Sequence, residues 1–140
     1  QMSGGEAVWD LLAELKEVVS QVEASNDPAF GTTGAKLRDA VDSVERSSKW
    51  LLEKIATSPA EALAGATSYL RLFSITLGGC SLAKEALAAR TDEAHQNDVQ
   101  RYVTLARFFA ENITVQSGAF ERTIMDAATA TTGADIVLTG

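Results

Sequence analysis

The residues in this sequence best suited to chemistry are one histidine, His95, and one cysteine, Cys80. A histidine of a helical protein can carry a phosphoryl group when it lies on an exposed helix beside small residues that leave room for phosphate. Here the local sequence is HQNDV, and Asn97 and Asp98 occupy the positions where a phosphate would need space and no opposing charge. The pattern favours a solvated loop histidine over a phosphotransfer site.

A metal site also requires more ligands than the sequence supplies. A di-metal carboxylate bundle needs Glu-x-x-His on two helices and two further inward-facing glutamates, whereas this chain has one histidine, with Glu93 two positions before it. One thiol and one imidazole are too few for a zinc thiolate site. Cys80 lies in an apolar segment, where a cysteine usually acts as a small hydrophobic residue. We therefore predict no catalytic, cofactor-binding or metal-binding residue in this chain.

Length and composition predict a single helical domain over residues 1–140, because 46% of the residues are hydrophobic and 22% are charged. The formal net charge of −7 opposes binding to nucleic acid, and no polybasic stretch is present to hold an anionic membrane. Arg71 interrupts the most apolar segment, so we expect no membrane span. A single cysteine excludes an internal disulfide and fits a reducing compartment, so we expect a cytoplasmic protein.

Apolar residues spaced by three and four predict four helices, at about Glu6–Ala24, Ala35–Ala56, Ser58–Arg90 and Asn97–Ala128. Ser58 and Asn97 are the expected N-caps of the last two. No alternating strand pattern is present. The predicted fold is all-α, an antiparallel four-helix bundle with a short C-terminal tail.

The tail TTGADIVLTG begins with residues that stop a helix, and it carries three consecutive apolar residues, Ile136, Val137 and Leu138. Two placements remain open for them: packing back on the bundle or pairing with another segment.

The third predicted helix is apolar on nearly every side and contains two adjacent glycines, Gly78 and Gly79. Two glycines in a helix interior cost about 2 kcal/mol relative to alanine. Close approach of another helix is the simplest compensation, since a missing side chain lets two backbones pack tightly. Leu63, Leu70 and Phe73 share one face of this helix, and apolar residues all round it predict burial on more than one side. The predicted helix-packing residues are Gly65, Tyr69, Phe73, Gly78 and Gly79.

Four residues are candidates for an interface with a partner. Phe108 and Phe109 are adjacent and cannot both point inward, so we expect Phe108 to mark a partner surface. Trp9 is a second aromatic anchor. Arg71 and Arg107 lie among apolar neighbours, and we interpret them as ion-pair or interface residues rather than catalytic groups.

Two blocks of the sequence resemble the extra C-terminal domain found in one branch of the acyl-CoA dehydrogenases, the branch similar to methylthiopropanoyl-CoA dehydrogenase. The first block is WLLEKIATSPAEALAGATSYLRLFSITLGGCSLAKEALAA, and the second is LARFFAENITVQSGAFERTI. Cys80 stands where a bulky aromatic residue is expected after the glycines. The shared positions are Trp50, Leu51, Ala62, Gly65, Ala66, Tyr69, Leu70, Leu72, Phe73, Gly78, Gly79, Ala106, Arg107, Phe108, Phe109, Ala110 and Glu111.

The resemblance implies a parent enzyme that uses FAD to remove two hydrogens from the α and β carbons of an acyl-CoA thioester. In such enzymes the flavin and the catalytic glutamate belong to preceding domains, so no catalytic or flavin-binding residue is assigned here. We expect a non-catalytic domain, excised from the C-terminus of a longer flavoenzyme, that packs on the catalytic domains or completes a homo-oligomer interface. The start at Gln1 rather than methionine fits this expectation. A freestanding helical interaction or adaptor module is the alternative.

Overall fold

The fold is described from a computed structural model that covers residues 4–127 and, within them, every side chain except that of His95. No strand occurs between residues 4 and 127, which confirms the predicted all-α class. The predicted C-terminal tail lies outside the described residues. The helices are α1 (Gly4–Ala24), α2 (Thr33–Thr57), α3 (Pro59–Ala64), α4 (Ala66–Thr91), α5 (Val99–Asn112) and α6 (helical residues 117–127).

A short 3-10 turn, Pro28–Phe30, separates α1 from α2. The Asp27 carboxylate accepts a hydrogen bond from the Ala29 amide at 2.9 Å, and Pro28 supplies a backbone angle that suits the start of the turn. Gly31 then adopts φ +55°, a left-handed conformation that favours glycine. These local preferences end α1 and redirect the chain into α2.

The helix predicted from Ser58 to Arg90 is two helices, because the chain breaks at Gly65 between α3 and α4. Ser58 is the N-cap residue of α3, as predicted, but its side chain makes no capping hydrogen bond; its backbone carbonyl accepts from the Glu61 and Ala62 amides. Gly65 lies directly beneath Ile124 of α6. The break thus occurs where another helix crosses the chain, a tertiary contact that helical periodicity does not report.

The helix predicted from Asn97 to Ala128 is also interrupted. Asn97 is not an N-cap; it lies in a 3-10 segment, Glu93–Asp98, that starts where the Asp92 carboxylate accepts from the Ala94 amide at 2.9 Å. A second 3-10 turn, Thr114–Gln116, separates α5 from α6. The apolar spacing of the sequence continues across this turn, because the buried residues of both α5 and α6 keep that spacing.

Helices α1 and α2 run antiparallel. Lys16 forms an ion pair with Glu45, while Glu23, later in α1, binds Arg38, earlier in α2, with an O···N distance of 2.8 Å. Both ion pairs are partly exposed, so they contribute little to stability. They fix the relative direction of the two helices, and apolar contacts between them provide the larger stabilisation.

Helix α4 occupies the centre of the domain and packs against α1, α2 and α5. Tyr69 near its start hydrogen-bonds Ser48 of α2, whereas Gly79 farther along lies against Leu37 of α2, so α4 and α2 are antiparallel. The core contains fully buried side chains from α1, α2, α4, α5 and α6: Val19, Leu37, Val41, Val44, Leu72, Val103 and Ile124.

Among the described residues, α4 alone is long and apolar enough to cross a membrane by length and composition. Its 18-residue window has a mean hydropathy of 1.2, and 39% of that window is buried inside the domain. A core helix of a soluble protein passes the same test, and α4 has helices packed on several sides. The expected absence of membrane contact therefore stays a prediction.

Candidate functional site: a glycine crossing and two exposed apolar surfaces

The glycine pair of α4 lies where α2 and α5 come closest to it. A Cβ atom on Gly79 would be 2.7 Å from Leu37 Cδ2 and 2.9 Å from Thr114 Cγ2, and one on Gly78 would be 3.0 Å from the Phe109 ring. Contacts below 3.0 Å require the neighbours to shift, and Leu37 and Thr114 are fully buried. Hydrogen therefore fits at Gly79 and a larger substituent does not.

A second close approach occurs at Gly65. A Cβ atom there would lie 3.1 Å from the carbonyl oxygen of Ile124 and 3.2 Å from its Cγ2 atom. Tyr69 and Phe73, one and two turns farther along α4, form a tilted ring pair with centroids 5.8 Å apart. The Tyr69 hydroxyl and the Ser48 hydroxyl form a 2.6 Å hydrogen bond. All five predicted packing residues thus contact other helices or one another.

Beside this packed region lies an open apolar groove of about 480 Å³, which we call the α2–α4 groove. Leu63 and Leu70, expected from the sequence to be buried, project from it with exposed fractions of 76% and 64%. Ile55 of α2 is also exposed. The prediction failed because no described helix covers this end of α4. The groove is lined by Val8, Ser48, Leu51, Leu52, Ile55, Pro59, Ala62, Leu63, Ala66, Tyr69 and Leu70.

Among the described residues, those that line the groove carry no ionisable side chain other than the phenol of Tyr69. Its two hydroxyls, on Ser48 and Tyr69, bind each other, so neither is left to orient a polar ligand strongly. At its edge, Lys54 forms an ion pair with Glu61 at 3.3 Å and lies over the Trp50 ring. The groove is therefore suited to apolar side chains rather than to a charged ligand.

The second exposed apolar surface, which we call the α5 strip, comprises Leu105 and Phe108, with exposed fractions of 47% and 58%. Phe109, the neighbour of Phe108, points inward to Gly78. The two phenylalanines point in directions about 100° apart around α5, so Phe109 contacts α4 while Phe108 is exposed. Aromatic side chains such as phenylalanine are enriched at the cores of protein interfaces.

The other three candidate interface residues differ in environment. Trp9 is half-buried against the core. Arg107 binds Glu111 at 3.0 Å, and its guanidinium lies over Gly31, where a Cβ would be only 2.6 Å from it. Arg107 therefore fastens the α1–α2 turn to α5. Arg71 is exposed.

Glu111 completes the same contact. Its carboxylate accepts from the Thr32 hydroxyl at 2.9 Å and from the Thr32 amide at 3.2 Å, and these hydrogen bonds, with that from Arg107, lower its pKa. The cluster joins two parts of the domain, and we assign it a structural role.

Cys80 is buried, and desolvation raises the pKa of its thiol from the usual 9.0 to about 12. A protonated, inaccessible thiol is a poor nucleophile. His95 lies in the 3-10 segment before α5, and its side chain is outside the described part of the structure. Among the described residues, no group of three or more metal-ligating side chains occurs.

Comparison with protein families matches residues 11–135 to the model described as "Acetyl-CoA dehydrogenase C-terminal like". This chain belongs to that family. The match covers most of the sequence and confirms the resemblance to acyl-CoA dehydrogenases, although it does not identify the methylthiopropanoyl-CoA branch. Comparisons with curated proteins and with solved structures give no match.

Within this acetyl-CoA dehydrogenase C-terminal-like domain, sequence reasoning missed the α2–α4 groove. Leu63 and Leu70 are seven residues apart and so would share a face of a continuous helix, and Leu52 and Ile55 are three apart on α2. Their exposure depends on which helices pack beside them, and the spacing does not encode that.

Proposed function

We propose that this chain is the non-catalytic C-terminal domain of an FAD-dependent acyl-CoA dehydrogenase of the methylthiopropanoyl-CoA dehydrogenase-like branch. The family match over residues 11–135 carries the proposal. FAD and the catalytic glutamate belong to preceding domains of the parent, where the α,β-dehydrogenation of the thioester takes place. This domain packs on those domains or at a homo-oligomer interface.

We further propose that the domain is an antiparallel four-helix bundle in which α3–α4 and α5–α6 are the third and fourth members, each broken once. Contacts along α4 support this arrangement. Gly79 lies beside Thr114, while Gly65, fourteen residues earlier, lies beside Ile124, so α4 and α5–α6 run in opposite directions.

The α5 strip is the surface that we assign to the parent enzyme. An exposed aromatic side chain beside a leucine supplies apolar area whose burial is favourable, by roughly 1.5–3 kcal/mol for a fully buried large side chain. Arg107 and Glu111 hold α5 against the α1–α2 turn, so the strip is presented by a supported helix. Trp9 and Arg71 are secondary candidates for the same interface.

The net charge of −7 and the single buried cysteine support a cytoplasmic location and partners that are proteins rather than nucleic acid or membrane.

The test of the domain's role compares the full-length parent enzyme with a variant that lacks these residues. We expect the shortened enzyme to retain flavin in its catalytic domains but to assemble incorrectly, as measured by light scattering after size-exclusion chromatography, together with turnover. The present chain, purified alone, should be colourless. Flavin bound to this chain would contradict the proposal, and an upstream reading frame without a dehydrogenase core would favour a freestanding adaptor module.

The test of the α5 strip uses Phe108→Asp in the full-length enzyme. We expect the charged residue to weaken assembly, because an aspartate is costly to bury at an apolar contact. Ser20→Asp is the matched control, since Ser20 is exposed on α1 rather than on α5 and adds the same charge. If the two variants assemble equally well, the α5 strip is not part of the interface.

A further inference from the structure

We propose that the α2–α4 groove is covered by the chain's own C-terminal segment, with Ile136, Val137 and Leu138 as the apolar residues that enter it. This inference does not depend on the proposed function, because it concerns two parts of the same chain. It identifies an intramolecular docking site and the segment that it takes.

The course of the described helices brings the chain to the correct end of the domain. Thr114, before α6, lies beside Gly79, and Ile124, near the end of the described residues, lies beside Gly65. Gly65 is the residue between α3 and α4, and Ala62 and Ala66 on its two sides line the groove. The chain therefore leaves α6 next to the α2–α4 groove.

The connecting length is sufficient. Eight residues separate residue 127 from Ile136, and an extended chain spans up to about 3.3–3.6 Å per residue, so the reach is on the order of 30 Å. A helical continuation of α6 is therefore not required to bring residues 136–138 to the groove.

The chemistry of the segment matches that of the groove. Residues 128–140 contain one charged side chain, Asp135, and it immediately precedes the apolar triplet. The groove presents exposed leucine and isoleucine side chains.

An attached segment also has an advantage over a separate occupant. A segment joined by a short flexible linker has an effective concentration in the millimolar range. A second copy of the chain at micromolar concentration would therefore compete poorly for the same groove.

The first experiment is disulfide trapping in the full 140-residue chain with Cys80→Ala, so that only introduced thiols react. Leu63→Cys with Leu138→Cys tests the groove, and Leu105→Cys with Leu138→Cys is the control, because Leu105 is also exposed but belongs to the α5 strip. We expect the groove pair to form an intramolecular disulfide at least tenfold faster than the control pair. Equal rates, or disulfide-linked dimers as the main product, would overturn the proposal.

A second experiment measures protection without a crosslink. In the Cys80→Ala chain, Leu70→Cys should react with a thiol reagent at least threefold faster after Ile136→Asp and Leu138→Asp are added. Leu105→Cys should react at the same rate in both backgrounds. Circular dichroism confirms that each variant folds, so a Leu70→Cys rate unaffected by the aspartates shows an uncovered groove and refutes the docking. Either result leaves the family match unchanged.

Discussion

The middle of α4 and the region where α3 meets α4 are both apolar, but their environments are opposite. Around Gly78 and Gly79, the missing side chains allow α2 and α5 to approach until a Cβ atom would clash. Around Leu63 and Leu70, no described helix covers the apolar side chains, and a groove remains. The comparison shows that apolar composition predicts where burial is favourable, whereas backbone geometry decides where it occurs within the described chain.

The largest expected effect comes from filling the glycine crossing. Gly79→Leu should destabilise the domain by more than about 3 kcal/mol, because four added carbon atoms would meet buried Leu37 and Thr114. Urea denaturation followed by circular dichroism measures the change. Gly118→Ala is the control, since its Cβ would have only an ordinary contact at 3.7 Å, to Arg122, and should be neutral or stabilising. A cooperative transition of unchanged midpoint for Gly79→Leu would refute tight packing.

The contrast between the packed and open sides of α4 is sharpest at Leu72 and Leu70, two residues apart. Leu72 is fully buried and Leu70 is 64% exposed. Leu72→Ala should lower the free energy of unfolding by about 2–5 kcal/mol, because it leaves a cavity. Leu70→Ala should lower it by less than about 1 kcal/mol. Comparable losses in urea denaturation would mean that Leu70 is buried, contrary to the open groove.

Two adjacent serines on α2 extend the comparison to polar groups. Ser47 is fully buried and its hydroxyl has no hydrogen-bond partner among residues 4–127, whereas the Ser48 hydroxyl binds Tyr69 beneath the groove. Ser47→Ala should raise the free energy of unfolding by about 1 kcal/mol, and Ser48→Ala should lower it by a similar amount. Thermal and urea unfolding of both variants test the signs. Destabilisation by Ser47→Ala would indicate that its hydroxyl has a partner after all.

The smallest expected effect concerns the attachment of α6. Arg46 binds Glu121 at 2.7 and 2.9 Å, and this contact, with a hydrogen bond from Ser43, lowers the pKa of Glu121 below its usual 4.5. A lowered folded-state pKa gives stability that is present above pH 4.5 and is lost as pH falls through the folded value. Glu121→Gln should therefore cost about 1 kcal/mol or less at pH 7, since Arg46 is largely exposed.

The control for that prediction is the pH dependence itself. The difference in unfolding free energy between the native chain and Glu121→Gln should shrink as pH falls below 4.5. A difference that stays constant from pH 7 to pH 3 would show that the carboxylate charge has no part in holding α6.

Much of the fold was predictable from residues that act locally. The spacing of Leu12, Leu15, Val19 and Val22 determined α1, and the adjacency of Phe108 and Phe109 required one of them to face outward. The positions that were mispredicted depend on contacts that helical spacing does not report. Leu63 and Leu70 are exposed because no described helix covers them, and Asn97 lies inside a 3-10 segment rather than at the N-cap of α5.

The sequence by itself determined the all-helical class, the family and the requirement for a close approach at Gly78 and Gly79, because propensity, periodicity and missing side chains are local properties. Only the tertiary structure decided that α3 and α4 separate at Gly65, and that Leu63 and Leu70 face an open groove. Those outcomes depend on where Ile124 of α6 crosses the chain and on how far α2 lies from α4. The packing of whole helices sets these separations, and the sequence of a single helix does not encode them.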